Sequence, residues 1–482
     1  MMDAQNFING GWVGAVGLAK CESINPANGE VIGSYPDSTI EDARQAIACA
    51  VDAFNRPVWS HSPRLRQMVL LRWADRLESR IDELTQILTR ENGKVLGQSR
   101  GEIAGAISEI RYYAGVTRFI PGRALEVEPG AYSTVLREPA GVAGIIVPWN
   151  APAVLLVRGL CPALAAGCST VIKAAPQASL IMYEMIRDLS LVQDLPVGVV
   201  NILFEKGSAV AHGLVASPDV AVICFTGSSA VGQQIMAAAS STMKKLSLEL
   251  GGKSCAVVFP DASIPDVAVK LARASMIISG QQCTAARRVL VHASRYNEMK
   301  RALSEALNGM VVGPGVAPDS DIGPLIDEGA LARVTASVAR TLDECDEVIL
   351  RGERLHGALS KGFFLSPTLV GHGDSSAFFC QEEIFGPLVV LEKFEDEAEA
   401  VARANHTVFG LSASVWTNDA ARALRVARAL RDGTVWVNDH NRLFAEAETG
   451  GYLRSGVGRL HGYDAMADFM EQKHIYINAG VL

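Results

Sequence analysis

The sequence predicts an α/β protein in which parallel sheets are covered by helices on both faces. Two observations carry this. From about residue 140 the chain repeats strand, glycine or proline, then helix. The strand segments are also continuous apolar runs: Gly144-Ile145-Ile146-Val147, Thr170-Val171-Ile172-Lys173, Val199-Val200-Asn201-Ile202-Leu203 and Val220-Ala221-Val222-Ile223-Cys224-Phe225-Thr226. Strands buried on both faces lack the polar alternation of a half-solvated sheet. Ligands of such sheets bind beyond the carboxyl ends of the strands. A third observation is size. At 482 residues the chain outgrows one hydrophobic core and suggests about two to four domains.

The elements follow in order. Phe7 to Val13 and Ile24 to Ile32 read as short strands around the turn pairs Asn9-Gly10 and Asn28-Gly29. Thr39 can cap a helix whose stripe is Ala43, Ala46, Ile47, Ala50, Val51 and Phe54. Ser62-Pro63 places a cap before a first-turn proline, and the helix beyond repeats Leu65, Val69, Trp73 and Leu77. Another helix, through Leu84, Ile87 and Leu88, stops at Gly93. Glu126 to Arg137 alternates around Pro129-Gly130 as a hairpin. A second α/β region starts after Gly251, with Ala256-Val257-Val258-Phe259 and Arg288-Val289-Leu290-Val291, and runs to about residue 450. Gln472 to Asn478 is strand-like. Together with the hairpin it could pair with another subunit.

Composition bounds the function. The net charge of −8 argues against non-specific nucleic-acid binding. Nine cysteines are scattered, odd in number and without metal-ligand spacing, so neither a disulfide framework nor a zinc site is expected. The N-terminus lacks the basic and apolar regions of a signal peptide. No apolar run reaches the roughly 18 residues of a membrane span. A cytoplasmic protein without membrane or nucleic-acid partners is the expectation.

One cysteine stands in a polar, turn-like frame: Ser279-Gly280-Gln281-Gln282-Cys283-Thr284. Most cysteines fill cores. A nucleophilic thiol instead needs exposure and help in forming thiolate. Glu249, in Leu248-Glu249-Leu250-Gly251-Gly252-Lys253, is either a solvated strand-end acid or a buried general base that activates water. Asn150, fixed between Pro148 and Pro152, is a turn amide or an oxyanion donor, of the kind worth about 3 kcal/mol. Phe225-Thr226-Gly227-Ser228-Ser229-Ala230-Val231-Gly232 is a strand, glycine turn and helix start, suited to phosphate. Lys173 closes an apolar strand at the ligand edge. Glu383-Ile384-Phe385-Gly386-Pro387 suits an ordinary loop as well as a ribose-binding acid with a stacking ring.

Taken in order, Pro148-Trp149-Asn150, Val171-Ile172-Lys173, Phe225-Thr226-Gly227-Ser228, Glu249 to Lys253, Gly280 to Cys283, Glu383 to Pro387 and the Asn438 and Ser455-Gly456 regions resemble the aldehyde dehydrogenase superfamily. The resemblance spans nearly the whole chain. It implies a Rossmann-like cofactor domain (1–122 and 140–250), a catalytic domain (251–450) and a small β oligomerisation arm (123–139 and 467–482), in a homodimer or homotetramer. It implies that Cys283 attacks a small-molecule aldehyde to give a thiohemiacetal and then a thioester. Asn150 would stabilise the oxyanion and Glu249 activate water. Trp149, Lys173, Gly227, Ser228, Gly232, Leu250, Glu383 and Phe385 would hold the cofactor.

NAD is the expected carrier. NADP stays open, because Pro176 stands where the family often has an acid that binds the adenosine ribose and repels a 2′-phosphate. Leu453, where a lysine is common, and Phe444 to Glu448 are unusual for an aldehyde-entrance loop. Arg158, eight residues after Asn150, is either a structurally paired arginine or a grip for the distal carboxylate of a semialdehyde, a task that suits arginine. The second arginine that some semialdehyde enzymes use is Ile277 here. A neutral aliphatic or aromatic aldehyde is the other reading. A CoA-acylating enzyme, which does not need Glu249, and a catalytically silent relative are the alternatives.

Overall fold

In the computed structural model, which describes residues 1–480, the four apolar runs fold as Val142–Ile146, Ser169–Ala174, Val200–Phe204 and Val220–Thr226. Lys245–Glu249 joins them as a fifth parallel strand. The spatial order is Lys245–Glu249, Val220–Thr226, Val142–Ile146, Ser169–Ala174, Val200–Phe204. The order therefore reverses beside Val142–Ile146, and such a reversal opens a crevice at the carboxyl ends of the strands. The register aligns those ends: Ile146 lies opposite both Lys173 and Phe225, and Thr226 opposite Glu249. Asn150, Lys173, Gly227 and Glu249 thus leave the sheet along one edge.

Antiparallel strands close both sides of this sheet. Asn6–Ile8 and Gly11–Val13 form the hairpin expected at Asn9-Gly10, where φ is 52° and 80°. At the other side Gly456–Val457 pairs with Leu248 and Glu249. The chain beyond residue 450 therefore returns to the first sheet. Helix Pro152–Ala166 is apolar all round except at Arg158 and almost wholly buried, as befits a helix between a sheet and other helices. Local signals hold at several ends. Thr39 and Asp42 form a capping box on Ile40–Asn55, and Gly93 ends Ile81–Asn92 in the left-handed conformation at φ 86°. Ser62 occupies the cap position of Pro63–Ser79, but its side chain makes no capping bond.

The second region forms a seven-stranded sheet in the order Glu347–Leu350, Thr368–Gly371, Leu388–Phe394, Arg288–His292, Cys255–Val258, Ser412–Trp416, Thr434–Val437. Only its first strand is antiparallel. The hairpin Arg123–Glu128 and Ala131–Pro139 pairs with Met470–Asn478 in a separate antiparallel sheet. That sheet exposes Leu125, Val127, Tyr132, Ile475, Tyr476 and Ile477. Residues 481–482, the end of the arm expected from sequence, lie outside the described residues. No helix among the described residues is long and apolar enough to cross a membrane.

Candidate active site

The thiol sits on an unusual piece of backbone. After helix Ile264–Met276, three successive residues take the left-handed conformation: Ile278 at φ 49°, Ser279 at 57° and Gly280 at 74°. For a β-branched residue this is an outlier, costing about 1–2 kcal/mol. Surrounding bonds hold it. The Ile278 amide donates to Gln98 Oε1 at 3.1 Å, Ser279 Oγ to the Gly323 carbonyl at 2.8 Å, and the Ile326 amide to Gln281 Oε1 at 3.0 Å. Buried Arg287 clamps the loop, donating to the carbonyls of Gly280, Gln282 and Ile384 at 3.0, 2.9 and 2.6 Å. Glycine is required at 280 for space as well as for φ, since a Cβ there would lie 2.2 Å from the Gly386 carbonyl oxygen. Gly280→Ala is therefore expected to cost at least about 1–3 kcal/mol and to displace Cys283. Thermal unfolding and the rate of Cys283 alkylation check both effects.

Cys283 is half-buried. Burial, with Glu383 and Glu249 nearby, pushes its thiol up to about 12 against the opposing pull of Arg158 and Arg287. The resting residue is a thiol, so ionisation depends on a proton acceptor or on added positive charge. It lines a cavity of about 390 Å³ together with Asn150, Glu249, Leu250 and Arg158. Asn150 is buried, and its Nδ2 donates to the Gln281 carbonyl at 3.1 Å. Lys94 Nζ donates to the Asn150 carbonyl at 2.8 Å, and Asn92 Nδ2 to that of Trp149 at 2.6 Å, so two side chains fix this turn. Glu249 ends its strand at the same cavity. Its Oε1 is buried without a hydrogen-bond partner. Burial, outweighing the attraction of Arg459 and Arg158, raises its pKa to about 8. A carboxyl so placed can take a proton near neutral pH.

The other predicted residues fall into two groups. Trp149, Glu383 and Phe385 line a second recess of about 210 Å³. There Trp149 meets Phe385 edge-on at 5.7 Å, and Arg287 lies over the Phe385 ring at 5.4 Å. Glu383 Oε1 accepts from the Gly252 amide at 3.2 Å. A Cβ on Gly251 would reach 2.3 Å from Glu383 Oε2, and one on Gly252 would reach 2.8 Å from the Cys283 carbonyl oxygen. The glycine pair thus lets the acid and the thiol loop approach the end of the Glu249 strand.

Along the sheet edge, Ser228 caps the exposed start of helix Ser229–Ala239, with Val231 N donating to its Oγ at 3.4 Å. Gly232 is explained differently from the phosphate approach expected. A Cβ there would strike Leu250 Cδ2 at 2.5 Å, so its smallness serves helix–strand packing. Buried Lys173 has its Nζ 3.8 Å from Glu205 Oε1. Glu205 also accepts from the amides of Val210 and Ala211 at 2.8 and 3.2 Å. A carboxylate just past the end of the next strand, Val200–Phe204, thus stands beside Lys173, while Pro176 supplies none.

Sequence reasoning missed several residues of the cavity. Arg158 Nε bonds Glu109 Oε1 at 3.0 Å, and His461 Nδ1 stands 2.5 Å from the same oxygen. Glu109 falls inside an apolar helical stripe (Ile103, Ala106, Ile107, Ile110), which is the signal that could have marked it. Gly101 and Gly105 of the same helix, Leu96–Val116, line the cavity directly, whereas Glu109 reaches it through Arg158. Of residues 444–453, only Thr449 and Gly450 line it; Phe444 and Leu453 are exposed.

A thiol, an unpartnered buried carboxyl and a fixed amide share one cavity at the edge of an α/β nucleotide-type sheet, which defines a class of cysteine-dependent dehydrogenases. The model of the aldehyde dehydrogenase family matches residues 12–475, and the chain belongs to that family. It is 34% identical to the phenylacetaldehyde dehydrogenase of Pseudomonas fluorescens, over 98% of this chain and 95% of that one. It is 36% identical to the mitochondrial succinate-semialdehyde dehydrogenase of Arabidopsis thaliana, over 98% and 89%. The betaine aldehyde dehydrogenase of Staphylococcus aureus, solved in complex with NAD+, superposes with a TM-score of 0.96 at 31% identity, covering 100% of this chain and 96% of that one. The protein is an NAD(P)-dependent aldehyde dehydrogenase.

Proposed function

We propose that Cys283 is the nucleophile, Asn150 the oxyanion donor and Glu249 the base of a hydrolytic aldehyde oxidation. The observation that carries this reading is the convergence of the three on one cavity, with Glu249 Oε1 buried and unpartnered. Cys283 Sγ adds to the carbonyl carbon, and its proton passes to a base. The new alkoxide accepts from Asn150 Nδ2 and from the Cys283 amide. The chemistry a bound nicotinamide dinucleotide would supply is acceptance of the hydride that turns the thiohemiacetal into a thioester. Glu249 then takes a proton from water as its oxygen attacks the acyl carbon. The C–S bond breaks, and the acid and the thiol are released.

The residues present fit that cofactor. The exposed start of helix Ser229–Ala239 with Gly227 and Ser228 suits a pyrophosphate. Lys173, with one carboxylate 3.8 Å away, keeps donor capacity for a ribose. Glu383 and Phe385, beside Trp149, serve the nicotinamide end, while Gly232 and Leu250 pack the helix on the sheet. Glu205 adds negative charge beside Lys173, which favours NAD over NADP.

The segments 1–122 with 140–250, 251–450, and 123–139 with 467–482 act as cofactor, catalytic and oligomerisation units. The exposed apolar sheet of the last suits a homodimer or homotetramer. We place the enzyme in the cytoplasm, with neither nucleic acid nor membrane as partner. CoA provides the test. Acid is expected to form with NADH in equal amounts and without CoA. A requirement for CoA, with an acyl-CoA product, would reject the hydrolytic reading.

A further inference from the structure

We propose that the cavity is built for bulky aldehydes that carry no carboxylate, its space opened by Gly101 and Gly105 and the charge of Arg158 taken up by Glu109. The inference rests on the proposed aldehyde-oxidising reading of the same cavity.

Helix Leu96–Val116 passes along the cavity with Gly101 and Gly105 four residues apart, hence on one face. A glycine inside a helix is less favourable than alanine. Close packing does not account for that cost here. A Cβ at Gly101 would meet nothing within 4 Å, and one at Gly105 only Val154 Cγ2 at 4.0 Å. The glycines border open volume. Apolar side chains make up much of the remaining lining: Val154, Leu155, Ile277, Leu411, Leu443 and Leu460. A volume of about 390 Å³ lies in the range of sites for drug-sized ligands, about 300–1,000 Å³.

The cavity holds two cations, and both are paired. Lys94 is bonded to Glu102, and Arg158 Nε to Glu109 at 3.0 Å. Burial pushes the Glu109 carboxyl up, but His461 and the Arg158 charge outweigh it and hold it below its ordinary value. Glu109 is therefore charged, and the Arg158 pair is neutral in sum. A carboxylated substrate therefore meets no uncompensated positive charge in the cavity lining. Arg158 keeps its terminal N–H groups for a neutral oxygen on the substrate.

The test compares 4-isopropylbenzaldehyde, its near-isostere 4-formylbenzoate, and propanal, each with NAD+ and the full-length enzyme. Wild type is expected to favour 4-isopropylbenzaldehyde over both in kcat/KM by about tenfold or more. Gly105→Leu should cut the ratio of 4-isopropylbenzaldehyde to propanal by about tenfold, mainly through KM. Glu109→Gln frees the Arg158 charge and should raise the ratio of 4-formylbenzoate to 4-isopropylbenzaldehyde by about tenfold. A wild-type preference for 4-formylbenzoate or propanal overturns the proposal. So does a Gly105→Leu enzyme with unchanged ratios. The wild-type ratios decide even where a variant fails to fold. If no aldehyde were oxidised, the underlying catalytic reading would fail; a reversed preference would sink only this one.

Discussion

Cys283→Ala is expected to abolish NADH formation from every aldehyde, by at least about 10⁴-fold, while NAD+ still binds with near wild-type affinity. The two halves of this result have separate causes. Among the three residues proposed for chemistry, only the thiol can form the covalent bond that makes hydride departure feasible. Apart from Leu250, the residues proposed for the cofactor lie outside the lining of the Cys283 cavity, on the sheet edge and in the recess of Trp149, Glu383 and Phe385. Removing one sulfur from a half-buried loop leaves those elements in place. Steady-state turnover and cofactor titration by fluorescence quenching measure the halves independently. Retained turnover would reject the nucleophile. Lost cofactor binding would show that the loop had moved.

Glu249→Gln is expected to divide the reaction in time. The first half should give one NADH per subunit, and the second should slow by about 10²–10⁴-fold because no group remains to take the proton from water. Wild-type kcat, where deacylation limits it, should rise with pH through a single ionisation near 8, the value to which burial raises this carboxyl. The variant should lose that ionisation. Stability follows the opposite sense. From the ordinary value of 4.5 up to about 8, the folded protein holds a proton that the unfolded chain releases. Stability is therefore fullest below 4.5 and declines as pH rises toward 8. Glu249→Gln should remove that slope, which thermal unfolding at pH 5 and pH 8 can check.

Much of this site is legible in the sequence, because its parts are local. Gly280 next to the polar frame of Cys283, Asn150 between prolines, and Thr39 and Gly93 at helix ends each carry their reason within a few residues. The apolar runs likewise announce parallel strands. What the chain does not announce is set by contacts between distant segments. The partner of Arg158 is Glu109, on a helix formed well before it, and the partner of Lys173 is Glu205, just past the end of the neighbouring strand. No spacing rule joins either pair. Gly232 reads as part of a phosphate turn until Leu250 is seen against it. Ile278 gives no hint of a positive φ, since β-branched residues avoid it; the packed loop around it imposes the conformation. The return of Gly456–Val457 to the first sheet is a matter of topology that a short polar segment cannot signal.

The most direct test of the central claim is mass spectrometry of Glu249→Gln, quenched after one turnover with benzaldehyde and NAD+. A benzoyl group is expected on the peptide that contains Cys283, in amount equal to the NADH formed. NADH formed without that adduct, or with the acyl group on another residue, would contradict it.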